Sequence, residues 1–216
     1  MEPPLEADWW AMGLRVAGVD EAGRGAWAGP VVAAAVILPG PGPYPFADSK
    51  TLSPARRESL EALIQQTALA FGIGWAEAAE VDQVGILRAT HRAALRALAE
   101  LLPKPQALLT DYLRLEPVWR AYAEAPAHFR NPPKADQRSP SVAAASILAK
   151  VARDRYMQAL ELHYPGYGFA KHKGYGTADH QAALQRLGPC PEHRQSFAPV
   201  LRHCLGFPKP ERTNRD

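Results

Sequence analysis

Cysteine is scarce in this sequence: only Cys190 and Cys204 occur among 216 residues. Neither forms a Cys-x-x-Cys pair, so the sequence excludes a disulfide-stapled scaffold and a zinc ribbon, and it fits a reducing compartment. Long hydrophobic runs are also missing, which excludes a membrane span. The first four residues are acidic and proline-rich, where a secretory signal would be basic and then apolar. We therefore expect a cytoplasmic protein.

A large net charge is missing as well, because the formal charge is +3 with 22% charged and 47% hydrophobic residues. This is an ordinary globular composition, and the length suits one main domain. Residues 1–128 nevertheless carry 11 basic and 15 acidic side chains, whereas residues 129–216 carry 14 and 7. The C-terminal portion is thus the better candidate for a surface facing a polyanion. Solvated charges on helices would give the same counts.

The sequence does contain two adjacent carboxylates, Asp20 and Glu21, after the apolar residues 14–19 and before a Gly-Arg-Gly triplet at 23–25. Neighbouring strand residues point to opposite faces, so these carboxylates can share a ligand only if the chain bends there. The glycines permit a bend and bring N–H groups and an arginine within reach of a phosphate or sugar hydroxyl. Carboxylates suit a hard cation. The pattern indicates a metal beside a phosphate, and its alternative is a solvated strand end with a tight turn.

Periodicity along the chain predicts a mixed α/β sheet. The continuous apolar run at 31–38 predicts a central strand that is buried on both faces. Two later segments, at 69–75 and 106–111, predict further strands. Serine–proline pairs predict helix starts at Ser53 and Ser139. Helices are expected after Ser53 and at 86–102, 142–162 and 178–187. Their inward leucine and isoleucine positions are predicted as Leu60, Leu63, Ile64, Leu87, Leu95 and Leu98.

Two more carboxylates occupy positions in the chain where functional residues are often found. Asp111 closes the predicted strand at 106–111, and Asp136 lies just before a helix start. Together with the first pair they could converge at one sheet edge and give the oxygen-rich coordination that Mg²⁺ prefers. Two ions roughly 3.5–4 Å apart would activate a water and stabilise the leaving oxygen of a phosphodiester. The alternative is that each aspartate is a turn or helix-entry residue, as aspartates often are.

Several blocks closely resemble the signatures of bacterial ribonuclease HII, in the family's order and over about residues 14–190. They are Val19 to Gly25 with Gly29-Pro30-Val31, Asp48-Ser49-Lys50 with Leu52 and Arg57-Glu58, Ser141 to Arg155, and His172 to Thr177. The resemblance implies a ribonuclease H-like mixed sheet flanked by helices, with a helical C-terminal portion. We expect a catalytic domain at 1–188 and, from the prolines that follow Gly188, a C-terminal wrap and tail at 189–216 that frays after Pro208.

The resemblance also implies the activity. It predicts an endonuclease that cleaves the RNA strand of RNA–DNA hybrids and cuts on the 5′ side of ribonucleotides embedded in duplex DNA, leaving 3′-hydroxyl and 5′-phosphate ends. Two metal ions, Mg²⁺ or Mn²⁺, are implied as cofactors. Its partners are then the RNA–DNA hybrid and ribonucleotide-containing duplex DNA, with no membrane, and we expect a monomer.

Carried over by position, the resemblance assigns catalysis and metal binding to Asp20, Glu21, Asp111 and Asp136, with Asp20 bridging. It assigns recognition of the 2′-hydroxyl to Gly23, Arg24 and Gly25, and stacking on the following deoxyribose to Tyr175. Further substrate contacts are implied at Lys50, Ser139, Lys150 and Lys173. The chain departs from the family at Tyr112, where Asp111 is usually followed by glycine, and at the proline-rich residues 125–133. Glu116 is the alternative third carboxylate.

Three other functions remain open at this point. Ribonuclease HIII is a hybrid-cleaving relative that normally carries an added N-terminal domain, for which the residues before Leu14 leave no room. A hybrid-binding module without catalysis would not need all four carboxylates. A generic DNA nuclease would not need the Gly-Arg-Gly triplet and would cut all-DNA duplexes. Ser146 is expected to pack, and His163, His180 and His193 show no ligand-like spacing and receive no role.

Overall fold

The fold is built on a five-stranded mixed sheet, seen in a computed structural model that describes residues 2–46, 49 and 52–204. The strands run in the order β3-β2-β1-β4-β5. The pairs β1–β2 and β2–β3 are antiparallel, whereas β1–β4 and β4–β5 are parallel. Their bounds are β1 Val16–Ala22, β2 Val31–Ile37, β3 Ala70–Ala76, β4 Ala107–Thr110 and β5 His128–Arg130. The predicted mixed α/β sheet is confirmed.

Helices cover both faces of this sheet. They are α1 Ala7–Ala11, α2 Pro54–Thr67, α3 Ala78–Val84, α4 Ile86–Ala99, α5 Pro140–His163, α6 Phe169–His172, α7 Ala178–Leu187 and α8 Ala198–Cys204. Both predicted serine caps are confirmed, because the Ser53 side chain accepts from Arg56 N–H at 3.2 Å and the Ser139 side chain from Val142 N–H at 3.1 Å. No described helix combines the length and apolar character that crossing a bilayer requires.

Helix α5 crosses the middle strand at backbone contact. A Cβ added to Gly18 would lie 2.2 Å from the Ser141 carbonyl carbon and 2.3 Å from Val142 N. Only glycine allows two backbones to approach this closely. Since Gly18 and Asp20 lie two residues apart on one strand, they share a face. The close crossing therefore sets the start of α5 beside the first carboxylate.

Helix α4 packs on the opposite face through small residues, which corrects the predicted inward position of Leu87. Cβ atoms added to Gly72 and Gly74 of β3 would lie 2.3 Å from Ala97 O and 2.0 Å from Ala93 O. This alanine face fixes the phase of the helix and leaves Leu87 58% exposed, while Leu98 is buried as predicted. Leu63 of α2 is also exposed, at 38%, in contrast to the buried Leu60 and Ile64.

The proline-rich residues 125–133, at which the chain departs from the family pattern, contain β5. This three-residue strand pairs with β4 at Ala107↔His128, Leu108↔Phe129 and Leu109↔Arg130. Residues 164–177 contain α6, and the C-terminal segment contains α8. Residues 189–204 wrap back onto the body, with His193 and Arg194 fully buried. The domain boundary at 188 stays a prediction, and Pro208 lies outside the described residues.

Candidate active site

The first two carboxylates lie where β1 extends beyond the end of the neighbouring strand β4. The β1–β4 ladder ends at Val19↔Thr110, whereas the β1–β2 ladder continues regularly to Ala22↔Val32. The strand therefore continues through Asp20 and Glu21, and β1 itself does not contain the bend that the two carboxylates would need in order to share a ligand. The edge of β1 is instead left without a strand partner beyond β4, so side chains from opposite faces can approach each other around that edge.

Asp20 is buried and crowded by like charges. Its carboxylate accepts a hydrogen bond from Glu21 N–H at 2.8 Å and another from the Ser146 hydroxyl. Burial raises the pKa of Asp20 well above its ordinary value, and the charges of Glu21 and Asp111 raise it further. Ser146 is in turn 2.8 Å from the Ser49 hydroxyl. Ionised Asp20 can only accept, so the order is Ser49 to Ser146 to Asp20.

Asp111 follows β4 directly and faces the segment that carries Asp136. Its Oδ1 accepts from Ala135 N–H at 3.0 Å. Asp136 lies in the 3-10 turn Ala135–Gln137, which leads into α5, and is itself buried. Parallel β1 and β4 thus bring Asp20 and Asp111 to one end of the sheet, as predicted. The alternative carboxylate, Glu116, instead pairs with Arg120 at 2.8 Å.

This carboxylate group fits a divalent cation by charge and donor type. All four side chains offer hard oxygen ligands, and the raised pKa of Asp20 reflects a buried concentration of negative charge that a cation would relieve. In the part of the chain that the structure describes, however, no three acidic, histidine or cysteine side chains stand ready to hold a metal ion.

Glu21 links this group to the Gly-Arg-Gly loop. Its Oε1 accepts from Arg24 Nη1 at 3.1 Å, and the Arg24 side chain stays 41% exposed. The loop behind Arg24 is held by a fully buried arginine from the C-terminal segment, Arg194. Its guanidinium donates to the carbonyls of Arg24 at 2.9 Å, Ala26 at 2.7 Å and Gly29 at 2.8 and 3.0 Å.

The carbonyl of residue 24 points toward Arg194, and this orients the next N–H. In a trans peptide the two groups are antiparallel, so Gly25 N–H points away from Arg194. Gly25 is exposed, and no hydrogen bond among the described residues takes up its N–H. An added Cβ at Gly25 would meet nothing within 4 Å. The fold itself therefore does not require glycine here, whereas a closely approaching ligand would.

Gly23 and Tyr175 meet the same buried guanidinium, that of Arg153 on α5. It donates to the carbonyls of Pro30 at 2.9 Å, Lys173 at 2.9 Å and Ala28 at 3.0 Å. The Tyr175 ring centroid lies 5.3 Å from its central carbon, a cation–π distance. A Cβ at Gly23, whose φ is +92°, would lie 2.0 Å from Arg153 Nε. Arg153 thus locks the two predicted substrate elements together.

The remaining predicted substrate residues fall in different places. Lys150 Nζ pairs with Asp154 Oδ1 at 2.5 Å, and Lys173, whose pKa burial lowers, lines a polar groove between α2 and α5. The Ser139 hydroxyl is buried and donates to Glu6 while it caps α5. These bonds give Ser139 a capping role, so we leave it out of the proposed substrate surface. Lys50 lies outside the described residues.

Several residues shape the site through long-range contacts that the sequence does not reveal. Arg153, Arg194 and Ser146 stand within segments whose long-range partners only the fold reveals. The buried His180 and His193 likewise contact each other through their Nε2 atoms at 3.0 Å. A serine within an alanine run was the one available hint, because a polar side chain on a buried helix face needs a partner.

Comparison with known proteins gives one consistent result. The family model for Ribonuclease HII matches residues 17–200. A Ribonuclease HII of Thermus thermophilus is 60% identical over 96% of this chain and 98% of that protein. The crystal structure of ribonuclease H2 from Pyrococcus horikoshii OT3 superposes with a TM-score of 0.74 at 26% identity, covering 90% of this chain and 99% of that one. The crystal structure of Bst-RNase HIII in complex with Mn²⁺ superposes with a TM-score of 0.64 at 21% identity, covering 89% of this chain and 70% of that one.

Proposed function

The chain belongs to the ribonuclease HII family and is a ribonuclease H enzyme, and from this premise we propose that it cuts on the 5′ side of ribonucleotides embedded in duplex DNA. The same site would hydrolyse the RNA strand of continuous RNA–DNA hybrids. The products would carry 3′-hydroxyl and 5′-phosphate ends, as an in-line attack by water on the ribonucleotide's 5′ phosphate gives. This is the incision that would start ribonucleotide excision repair.

We assign Mg²⁺ or Mn²⁺ to Asp20, Glu21, Asp111 and Asp136. Two bound ions would supply nucleophile activation and neutralise charge on the phosphate. The protein's own part is orientation: Glu21 N–H and Ser146 fix Asp20, and Ala135 N–H fixes Asp111. Support comes from the all-oxygen donor set, and the Mn²⁺ in Bst-RNase HIII shows that a protein with this fold binds such an ion.

Discrimination of ribose would come from the loop at 23–25 together with Tyr175. The observation that carries this proposal is the position of Arg153, which lies against both Gly23 and the Tyr175 ring. Gly25 N–H and Arg24 would bond a 2′-hydroxyl, while Tyr175 would pack on the next sugar. A missing hydroxyl leaves such groups unpaired, at roughly 1–3 kcal/mol per group.

The test is digestion of a DNA duplex that contains one ribonucleotide, beside an all-DNA duplex and a continuous hybrid, with mapping of the ends. We expect cutting 5′ of the ribonucleotide and none in the all-DNA control. Cleavage of all-DNA duplexes would favour a generic nuclease, and binding without cutting in the presence of Mg²⁺ or Mn²⁺ would favour a non-catalytic hybrid binder. A monomeric state and a cytoplasmic location stay predictions.

A further inference from the structure

Three buried histidines lie directly behind the loop that carries Tyr175. His172 and His180 stack with ring centroids 4.3 Å apart and planes 13° apart, and His193 meets His180 from the C-terminal segment. The Phe169 ring packs edge-on against both His172 and His180.

The hydrogen bonds fix the proton on each ring. Cys190 N–H can only donate, and it lies 3.0 Å from His193 Nδ1, so that nitrogen is the acceptor and Nε2 carries the proton. His193 Nε2–H then donates to His180 Nε2 at 3.0 Å. His180 is left with its proton on Nδ1, and this donates to the Tyr175 carbonyl at 3.0 Å. The chain of bonds runs in one direction, from Cys190 to Tyr175.

A neutral state of both rings is consistent with their surroundings. Burial lowers the pKa of His180 to about 4, and the neighbouring His172 adds to this effect. Burial likewise lowers the pKa of His193 to about 4, with a further contribution from His180. Burial also raises the pKa of the Cys190 thiol, so that side chain is not a reactive thiolate. Each ring nitrogen of His180 and His193 is thereby satisfied without a charge.

We propose that His180 and His193 are positioning residues for ribonucleotide recognition, acting as a two-imidazole relay that fixes the Tyr175 backbone from the C-terminal segment. The inference rests on the proposed role of Tyr175 at the RNA–DNA junction. Arg153 holds the ring side of Tyr175, and the relay holds its carbonyl, so the aromatic face is set from two directions. The C-terminal segment thereby becomes part of the substrate-selecting machinery.

Two substitutions, each of which mimics the position of one imidazole nitrogen, separate the two hydrogen bonds of His180. In His180→Asn the side-chain amide nitrogen occupies the place of Nδ1 and keeps the bond to Tyr175 O. In His180→Gln the amide occupies the place of Nε2 and gives that bond up. Each variant removes one buried bond, and His180→Asn also removes more side-chain volume than His180→Gln. A merely structural role therefore predicts that His180→Asn loses at least as much melting temperature and activity as His180→Gln, which is the opposite of the order that the relay predicts for the selectivity of cleavage.

The readout is a selectivity ratio: the cleavage rate at a single ribonucleotide in DNA divided by the rate within a continuous hybrid. We expect His180→Gln to lower this ratio roughly threefold to tenfold, which is what one lost hydrogen bond is worth, and His180→Asn to keep it within about twofold. Equal ratios in the two variants would overturn the relay if Tyr175→Ala, measured alongside, lowers the ratio. An unchanged ratio in Tyr175→Ala would instead overturn the junction role on which the inference rests.

A second measurement needs no variant and does not depend on activity. Nitrogen-15 shifts of the imidazoles in the unmodified protein report which ring nitrogen carries the proton. The relay requires His193 as the Nε2–H tautomer and His180 as the Nδ1–H tautomer at neutral pH. The opposite tautomer at either ring, or a charged ring, would overturn the proposal even if the variants fail to fold.

Discussion

The side chain of Asp111 accepts a hydrogen bond from the backbone N–H of Ala135 at 3.0 Å, across 24 residues of sequence. Ala135 immediately precedes Asp136, so this one bond ties the end of β4 to the turn that carries the fourth carboxylate. The intervening proline-rich segment contributes β5 to the sheet and does not separate the two. The third and fourth carboxylates are thus positioned as a unit.

Two substitutions of Asp111 can separate the structural role of this hydrogen bond from the proposed metal-binding role of the carboxylate. Asp111→Asn keeps an oxygen acceptor for Ala135 N–H, whereas Asp111→Ala removes it. We expect both variants to lose at least about a hundredfold in cleavage rate, because each removes the charge of a carboxylate that we propose as a metal ligand. Only Asp111→Ala should also lose about 1 kcal/mol of stability in urea unfolding. Near-normal turnover of Asp111→Asn would transfer the ligand role to another carboxylate.

Tyr112 explains why the family pattern usually places glycine after the third carboxylate. Its φ is +57°, in the left-handed region, and its side chain is 62% exposed. We expect Tyr112→Gly to raise the melting temperature, because it removes left-handed strain of about 1–2 kcal/mol, partly offset by the entropy of glycine. Tyr112→Val should lower it, since β-branched residues fit this region least. A lower melting temperature for the glycine variant would contradict this account.

Those features of the fold that depend on local chemistry could be predicted from the sequence. The apolar run of β2 and the serine–proline starts of α2 and α5 each carry their signal within a few residues, and all were confirmed. The strand β5 could not be predicted, because three half-buried residues show no period. The phase of α4 could not be predicted either, since it depends on alanines meeting glycines of another strand.

Some residues of the candidate site could likewise be predicted from the sequence, and others could not. Paired carboxylates and a Gly-Arg-Gly triplet are visible in the sequence, and the parallel pairing of β1 with β4 explains how two of the carboxylates reach one edge. Arg153 and Arg194 are different, because their partners are backbone carbonyls 123 and 165 residues away. Backbone carbonyls leave no mark on a sequence, so only the fold shows what these arginines hold.

Metal should stabilise the folded protein through the crowded carboxylates. We expect Mg²⁺ or Mn²⁺ to raise the melting temperature of the unmodified protein, because an ion that binds only the native state shifts unfolding by mass action. In Asp20→Asn and Asp136→Asn this rise should shrink, while cleavage falls at least about a hundredfold and hybrid binding persists. EDTA should abolish activity of the unmodified enzyme. Cleavage that survives thorough chelation would refute the metal mechanism.

Acid should destabilise the protein through His180 and His193. Both pKa values lie near 4 in the fold and near 6.5 in the unfolded chain, so the unfolded state binds more protons between these values. Stability is therefore fully present above about pH 6.5 and declines toward pH 4, by up to about 1.4 kcal/mol per pH unit for each ring. The titratable groups facing them are Tyr167, His172, Cys190 and His203.

The measurement is urea unfolding at several pH values, with His193→Asn as the comparison. Its amide oxygen can still accept from Cys190 N–H but cannot be protonated in this range. We expect a shallower decline below pH 6.5 for this variant than for the unmodified protein. Parallel curves would show that His193 does not titrate on unfolding in the way its burial implies.

Alanine substitutions at the two glycines of the Gly-Arg-Gly triplet should impair the enzyme for different reasons. At Gly23 the added Cβ would lie 2.0 Å from Arg153 Nε, with φ at +92°, so Gly23→Ala should lower both the melting temperature and the cleavage of every substrate. At Gly25 the Cβ meets nothing within 4 Å, so Gly25→Ala should melt like the unmodified protein. If substrate approaches the Gly25 backbone, the variant should still cut more slowly, by roughly tenfold or more, as one unmade hydrogen bond and a displaced sugar would require. A Gly25→Ala enzyme with unchanged stability and unchanged rates on both substrates would show that the ribose is read elsewhere, because the fold gives this residue no other reason to be glycine.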